Sequence, residues 1–524
     1  MPLLSLIVFT PLIGALFVML TSAEQHNALR RGAFIFSLLP FALSVCLLMQ
    51  FDAGNPGFQF TENVPWIPAF GVSYSVGIDG ISLFLLLLTT FLTPLVILAG
   101  WDVHRRIKEY MVFMLLMETG MLGAFVAIDL FLFYVFWEVM LVPMYFLIGV
   151  WGGERRIYAA IKFVLFTMTG SLLMLVAILY LVTLHGQQTG QLTFDLVRLY
   201  DFSIPVSVQR WLFAAFALAF AIKVPMFPLH TWLPDAHTEA PTGGSVILAG
   251  VMLKMGTYGF LRFAIPLFPL AAREAMPIIV VLATIGIVYG ALVSMVQPDL
   301  KRLVAYSSVS HLGFVMLGMA ALNMQGVEGS IYQMLNHGLS TGALFLAVGV
   351  IYERRHTRLI TEFGGLWRQL PIYGAIFMIV MLSSVGLPGL NGFVGEFLIL
   401  LGAFGTHRVA AAVAVSGVVL GAVYMLWMYQ RVMFGPLENP ANRQLKDLSR
   451  REIFVFAPIL VMFFVMGLYP RPFLSRMEPS VQAYLMRLHQ KMAVAEAEPS
   501  QVQLSQAIGS CGLADADCQR GRTP

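Results

Sequence analysis

The sequence predicts an all-α polytopic membrane protein with about fourteen transmembrane helices. Hydrophobic residues make up 58% of the 524 residues and charged residues only 11%, whereas a soluble domain carries about 25% charged residues. Apolar stretches long enough to cross a bilayer recur along the chain. Basic residues also alternate between the two predicted sides of the membrane. Lipid is therefore the main solvent of this chain.

Each span follows from a length requirement, because a helix needs about 20 apolar residues to cross the hydrocarbon core. The segments that meet it are numbered here as spans 1 to 14. They are predicted at 3–21, 33–50, 80–100, 110–127, 130–151, 157–184, 209–233, 242–266, 275–296, 300–322, 326–352, 371–405, 408–434 and 452–470.

The loop charges predict the orientation, since Lys and Arg accumulate on the cytoplasmic side. If the N-terminus faces outward, the inner loops hold 18 basic residues: Arg30, Arg31, Arg105, Arg106, Lys108, Arg155, Arg156, Lys301, Arg302, Arg354, Arg355, Arg358, Arg368, Arg431, Arg443, Lys446, Arg450 and Arg451. The outer loops hold five: Arg198, Arg210, Arg262, Arg273 and Arg408. Both termini are therefore predicted on the periplasmic side.

Two spans share an unusual pattern of helix breakers. Span 7 contains Pro225 and Pro228, and span 12 contains Gly386, Pro388 and Gly389. Proline removes a backbone donor, and paired interrupted helices mark ion paths in inverted-repeat transporters. Because the breaks lie five spans apart, an odd number, the second unit would be inverted relative to the first. The alternative is two independently kinked helices.

This pattern divides the chain into five predicted parts. They are an N-terminal three-span segment (1–109), a first five-helix repeat (110–266), a second inverted repeat (275–434), a final span (435–470) and a periplasmic tail (471–524). Within the tail, 473–492 is predicted as an amphipathic helix and 493–524 as disordered.

Charged side chains interrupt several spans, although a mid-membrane charge costs roughly 2.5–3.5 kcal/mol even on lenient scales. Glu138 lies in span 5, Lys223 precedes the break of span 7, Lys254 lies within span 8 and Glu396 follows the break of span 12. Glu118 in span 4 is a weaker candidate. Burial disfavours an ammonium ion and a nearby carboxylate favours it, so Glu138 and Lys223 would form a switchable proton-carrying pair. Alternatively, these charges only hold helices together.

Histidines extend the predicted relay, because a neutral imidazole can both accept and donate a proton near neutral pH. His311 in span 10 and His337 in span 11 are placed between the lysines and the second carboxylate. The alternative is a packing role. His230 and His237, weaker candidates, are interpreted as polar lining of the first break. With Asp235 they could also be imagined as metal ligands, but no third His or Cys lies at ligand spacing.

Several function classes lack their motifs. The sequence contains no GxxxxGK[ST] and no GxGxxG, so neither an ATP-driven pump nor a dinucleotide site is indicated. The three cysteines form no CxxC, and His311 with His337 is the only candidate pair of haem ligands. The net charge of +4 is too small to favour nucleic acid. We therefore predict no cofactor or metal site on this chain.

Three motifs resemble a known family. They are FWEVMLVPMYFLIGVWG around Glu138, KVPMFPLHTWLPDAHTEAPTGGSVILAGVMLKMGTYG from Lys223, and VGLPGLNGFVGEFLIL around Glu396. They resemble the antiporter-like subunits of respiratory complex I, the proton-pumping NADH–quinone oxidoreductase, over about residues 3–470. In this family one subunit class carries Glu at the position of Glu396, whereas its sister chains and the multisubunit sodium/proton antiporters carry Lys. The resemblance therefore favours the Glu-carrying class.

The resemblance implies a function and partners. Glu138, Lys223, Lys254 and Glu396 would translocate protons, with His311 and His337 as links. NADH, FMN, iron–sulfur clusters and quinone reduction would belong to partner subunits. Two sister antiporter-like chains would flank this chain in a bacterial inner membrane. The alternative is a subunit of a multisubunit cation/proton antiporter or of a membrane-bound hydrogenase.

Overall fold

The fold of residues 2–493, which the computed structural model describes, is almost entirely helical. In this part of the chain thirteen helices are long and apolar enough to cross a membrane. They are Leu3–Leu20, His26–Gln50, Leu83–Asp102, Ile107–Val126, Leu130–Trp151, Arg156–Thr189, Val206–Lys223, Thr242–Leu267, Pro269–Met295, Leu300–Ala320, Met324–Arg355, Arg408–Met433 and Arg450–Leu468. Two shorter apolar helices, Pro371–Val385 and Asn391–Thr406, occupy the place of span 12. The predicted all-α polytopic fold is confirmed.

A β-hairpin lies between spans 2 and 3, where the sequence predicts no element. Strand β1 (Gln59–Ile67) pairs antiparallel with β2 (Val72–Ile78). The turn between them ends at Gly71, which has a φ of 71°. A Cβ on Gly71 would lie 2.1 Å from the backbone oxygen of Leu192, so both the dihedral and the packing exclude a side chain.

The hairpin defines one face of the molecule, called here the hairpin face. The amide of Leu4 donates to Glu62 of β1 over 2.9 Å. Near the other end of the described chain, Ser480 donates to the carbonyl oxygen of Pro56 over 3.1 Å and accepts from the amide of Gly80 over 3.0 Å. The start of span 1 and residues 471–493 therefore lie on the same face, as an even number of crossings requires.

A helix covers residues 471–493, where the sequence predicts a short amphipathic helix. Its buried apolar side chains follow helical spacing: Met477, Val481, Leu485, Leu488 and Met492. This side packs on the hairpin face, where Phe473 contacts the ring of Phe84. Disorder is predicted for residues 493–524. Residue 493 belongs to the helix, and residues 494–524 lie outside the described residues.

Breaks occur at the predicted places in spans 7 and 12. Span 7 ends its first helix at Lys223 and resumes as Trp232–Glu239. In span 12 the break between Val385 and Asn391 contains Gly386 and Gly389, with φ of 81° and 96°. Glycine tolerates this left-handed conformation, which terminates the first helix. The inverted relation of the two five-helix units, and the part boundaries, remain predictions.

Span 5 carries a third interruption, which the sequence does not predict as a break. Its two helices, Leu130–Val139 and Leu141–Trp151, meet at Met140. Pro143 lies in the first turn of the second helix, where it lacks the N–H that would bond to the carbonyl of Val139. The interruption therefore follows Glu138 by two residues.

Span 8 departs from a regular α-helix on both sides of Lys254. Two π-helical segments, Leu248–Met252 and Phe260–Ala264, flank a short α-helical stretch. The central part of this span is fully buried, as is that of span 11, and the central part of span 10 is nearly so. The centre of the molecule is thus formed by spans 8, 10 and 11, with spans 3 and 4 also mostly buried, while most of the other spans present exposed apolar surfaces for lipid or partner chains.

Three basic residues that were assigned to loops are buried in the structure. Arg262 lies within span 8 and pairs with Asp79, whose Oδ1 is 2.5 Å from the Arg262 Nη2 atom. Lys301 lies in the first turn of span 10 and donates to the carbonyl oxygen of Ala240. Arg30 donates to the carbonyl oxygen of Val103. The prediction that these three residues lie in loops is wrong, since each lies in a helix. Their burial depends on partners that are distant in the sequence, and the positions of basic residues along the chain do not reveal such partners.

Candidate proton path

Lys223 lies in an aromatic pocket at the break of span 7. It is the last residue of its helix and only 2% exposed. Its Nζ atom lies 5.2 Å from the ring centroid of Trp137 and 5.6 Å from that of Phe163. These contacts are cation–π interactions, which stabilise an ammonium ion away from water.

Glu138 is the charged group that acts on Lys223 electrostatically. The two side chains form no direct ion pair in the described part of the chain; Trp137, next to Glu138, contacts Lys223 instead. Glu138 is only partly buried and lies at the interruption of span 5. The structure therefore places the predicted pair near each other, with the carboxylate toward the surface of the chain.

Lys254 lies at the centre of the molecule and is fully buried. It donates to the carbonyl oxygen of Ala249, in the first π-helical segment. Such a segment shifts the backbone hydrogen-bond register and is frequent at functional sites. The second partner is His337 of span 11, whose Nδ1 lies 2.6 Å from the Lys254 Nζ atom.

A row of buried groups continues from His337 to Glu396. The rings of His337 and His311 have centroids 5.8 Å apart. The Nδ1 atom of His311 lies 3.0 Å from Oε1 of Glu396, which also accepts from Gln333 over 2.9 Å. Spans 8, 11, 10 and 12 thus bring four of the predicted site residues into one continuous row.

A small polar cavity lies beside this row. Its volume is about 10 Å³, and a buried water needs about 10–15 Å³ and several polar partners. Five buried polar atoms of the residues that line it have no partner within residues 2–493: His311 Nε2, His337 Nε2, Asn336 Oδ1, Thr341 Oγ1 and Ser384 Oγ. The cavity therefore suits one water molecule in contact with both imidazoles.

The polar residues around this cavity were missed by the sequence reasoning. A detectable signal was present in span 11, where polar residues recur at spacings of three and one along one helix face: Gln333, Asn336, His337, Ser340 and Thr341. Ser340 and Ser383 lie 2.6 Å apart across spans 11 and 12, and Ser383 donates to Asn391. In a buried transmembrane helix such a stripe indicates a polar path.

An apolar contact separates Lys223 from Lys254. A Cβ on Gly256 would lie 2.8 Å from the backbone nitrogen of Val224, so span 8 packs tightly on the break of span 7. Within residues 2–493 no chain of hydrogen bonds connects the Nζ atoms of Lys223 and Lys254. The site residues therefore fall into two segments, one from Glu138 to Lys223 and one from Lys254 to Glu396.

The weaker candidates, Glu118, His230 and His237, belong to neither segment. His237 is fully buried, stacks on Phe345 at 4.6 Å and lies within electrostatic range of Lys254 and Lys301. His230 packs against Phe227. Neither Glu118 oxygen has a partner in the described chain.

His230, His237 and Asp235, considered above as metal ligands, do not form a metal-binding group in the described chain. Asp235 is paired with Lys162, whose Nζ atom lies 2.6 Å from its Oδ2 atom. No group of three His, Cys, Asp or Glu residues in the described chain is placed to hold a metal ion. The polar-lining interpretation of His230 and His237 stays a prediction.

Two family profiles cover most of the chain. The profile described as "NADH-ubiquinone oxidoreductase chain 4, amino terminus" matches residues 6–126. The profile described as "NADH:quinone oxidoreductase/Mrp antiporter, TM" matches residues 127–421. A curated relative, NADH-quinone oxidoreductase subunit M of Rhodobacter capsulatus, is 47% identical over 93% of this chain and 97% of its own length.

The chain belongs to the family of NADH-quinone oxidoreductase subunit M. NADH-ubiquinone oxidoreductase chain 4 of Arabidopsis thaliana is 46% identical over 91% of this chain and 96% of its own length. The membership confirms the resemblance drawn from the motifs, including the class indicated by Glu396.

Solved structures show that the subunit M fold extends beyond this family. A chain of respiratory complex I from Thermus thermophilus matches with a TM-score of 0.85 and 35% identity, over 93% of this chain and all of that chain. A chain of the Mrp complex from Dietzia matches with a TM-score of 0.80 but only 21% identity, over 93% of this chain and all of that chain. The second likeness shows a shared fold alone.

Proposed function

We propose that this chain is a proton-translocating membrane-arm subunit of NADH–quinone oxidoreductase, and that protons pass along its buried polar row. One observation carries the proposal. In a subunit M chain, Lys254, His337, His311 and Glu396 lie in continuous succession across four spans, shielded from lipid. An ordinary packing role does not require a proton-exchanging side chain at every step of such a row.

The transfer steps follow from the donors and acceptors. The ammonium of Lys254 donates to Nδ1 of His337 over 2.6 Å. An imidazole that gains a proton at one nitrogen can release one from the other. His337 lines the polar cavity, and its Nε2 atom has no partner within residues 2–493. From there a water molecule would carry the proton to His311, and His311 would pass it to Glu396 over 3.0 Å.

The electron transfer belongs to other subunits in this proposal. NADH, FMN, iron–sulfur clusters and the quinone site would belong to partner chains, as the family resemblance implies. Two sister antiporter-like subunits would flank this chain in a bacterial inner membrane. The partly exposed Glu138 at the surface of span 5 would then meet a neighbouring subunit.

Loop charge supports an orientation with both ends periplasmic. Several ion pairs at or near the ends of spans gather basic residues on the face opposite the hairpin: Arg451 with Asp102, Arg354 with Glu452, and Arg358 with Asp299. Basic residues favour the cytoplasmic side. The hairpin face would then be periplasmic.

The test uses the intact complex in sealed vesicles. Lys254→Met keeps an unbranched side chain of similar length and removes the proton carrier. We expect NADH-driven acidification and quinone reduction to fall together, while NADH oxidation with a soluble acceptor stays at the parent rate as the assembly control. A Lys254→Met complex that acidifies the vesicles at the parent rate would exclude this residue from the path.

A further inference from the structure

An open groove lies between spans 9 and 13 on the hairpin side of the membrane. Spans Pro269–Met295 and Arg408–Met433 touch at mid-membrane, where a Cβ on Gly417 would lie 2.3 Å from a methyl carbon of Ile287. Toward the hairpin face the two helices diverge. The space between them measures about 800 Å³ and is lined mainly by apolar side chains, among them Val281, Ile285 and Val413.

The depth of the groove matches one leaflet. Nine residues separate Arg408, at the mouth, from Gly417, at the closed end, which is about 14 Å at 1.5 Å per helical residue. Half of a bilayer core is about 15 Å. Val281 and Val413, on opposite walls, are 56% and 41% exposed. The groove therefore offers apolar surface to a chain that enters from one side of the bilayer and ends at its middle.

An uncompensated positive charge lies at the mouth. Arg408 is exposed, and its guanidinium lies 5.8 Å from the ring centroid of Phe404. It forms no ion pair with any carboxylate in the described chain. Arg210, also near the hairpin face, is instead neutralised by a two-pronged contact with Glu274. The groove thus combines an apolar floor with a free cation at the membrane–water boundary.

We propose that this groove binds one anionic glycerophospholipid of the hairpin-side leaflet. The lipid phosphate would accept from the guanidinium of Arg408, a charge-assisted pairing that arginine favours. One acyl chain would lie against Val281, Ile285 and Val413. A transmembrane helix of a partner subunit would need a seam through the whole bilayer, whereas this groove closes at Gly417.

The test uses the intact complex in vesicles that contain phosphatidylglycerol with a photoreactive group on one acyl chain. Crosslinked peptides are identified by mass spectrometry. We expect labelling at 277–285 and 405–413, and its loss in Ala410→Trp, which fills the groove from span 13. Val281→Phe, on the other wall, should also reduce labelling, so the result does not depend on one variant's folding.

The charge is tested separately. Arg408→Gln should lower groove labelling by phosphatidylglycerol about five-fold, since one basic residue near a membrane contributes about that much, and should remove its advantage over phosphatidylcholine. The matched control is Arg198→Gln, an exposed arginine outside the groove, which should change neither result. Quinone reduction of each variant reports assembly.

Three results would overturn the proposal. One is groove labelling no stronger than that of the exposed surface of span 6, which would mean ordinary annular lipid. A second is equal labelling in the parent and Ala410→Trp. The third is a photocrosslink from a residue placed at position 413 to a partner subunit, which would mean that a protein fills the groove.

Discussion

The Nζ atom of Lys254 lies 2.6 Å from Nδ1 of His337, in a region of the molecule where both side chains are buried. The two residues are 83 positions apart in the chain and belong to spans 8 and 11. This contact joins the central lysine to a histidine that lies between it and the second carboxylate. The first prediction tests it directly.

His337→Gln should stop proton transfer while keeping a polar side chain beside Lys254. Glutamine can accept a hydrogen bond but does not gain and release a proton as imidazole does. We expect NADH-driven acidification and quinone reduction to fall by at least about ten-fold, in line with the 10²–10⁴-fold usually contributed by a proton-transferring group. His356→Gln, an exposed position just beyond the end of the same helix, is the control and should match the parent. Parent-like pumping by His337→Gln would remove this histidine from the path.

Glu138→Gln should abolish proton transport with little change in assembly. The change removes the carboxylate that acts on Lys223 and preserves side-chain volume. Moving one charge against 100 mV costs about 2.3 kcal/mol, so a lysine that no longer loads and releases cannot pump against that gradient. Acidification and quinone reduction are measured in vesicles, with NADH oxidation by a soluble acceptor as the control. If the assembled variant pumps normally, Glu138 is structural. Lys223→Ala should likewise lose both acidification and quinone reduction.

Gly256→Ala should destabilise the contact between spans 7 and 8. The added Cβ would lie 2.8 Å from the backbone nitrogen of Val224, an atom that cannot move aside without shifting the helix break. Overpacking of this kind costs about 1–3 kcal/mol, and the midpoint of thermal inactivation should fall. Gly342→Ala, where the nearest atom is at an ordinary 3.5 Å, should leave the midpoint unchanged. Equal midpoints for the two variants would contradict the close packing.

Asp79→Asn should be strongly destabilising, because it leaves the buried guanidinium of Arg262 without its counter-ion. Breaking a buried ion pair from one side costs about 3–5 kcal/mol. The control is Glu274→Gln, which removes the partner of an exposed arginine, Arg210, and should barely change stability. The thermal midpoint and the yield of assembled complex measure both. A yield and midpoint for Asp79→Asn equal to those of Glu274→Gln would show that the buried pair contributes little.

A reporter fused after Pro524 should be inactive if it works only in the cytoplasm. The predicted excess of basic residues in inner loops requires both ends to face the periplasm. A fusion in the loop between spans 6 and 7, near Arg198, should be equally inactive, and one in the loop near Arg443 should be active. Activity of the Pro524 fusion would overturn the orientation.

The sequence by itself determined the spans and their breaks. The length and hydropathy of a segment are local properties of the sequence. Thirteen spans and the position of span 12 could therefore be predicted without knowing which helices pack against them. The breaks at Pro225 and Gly386 were equally local, because proline and glycine change the backbone where they stand. The types of the site residues were readable for a similar reason: a charge in an apolar span is expensive.

Tertiary structure alone decided which of these residues touch. Nothing local distinguishes Lys254, which reaches His337, from Lys223, which lies among aromatic rings near Glu138. The partners come from spans far apart in the chain, and their distances depend on how the helices pack. The burial of Arg262 and Lys301 had the same origin, since Asp79 and Ala240 belong to distant segments. The π-helical segments around Lys254 are a further case, because hydrogen-bond register in a buried helix depends on its neighbours rather than on its hydropathy.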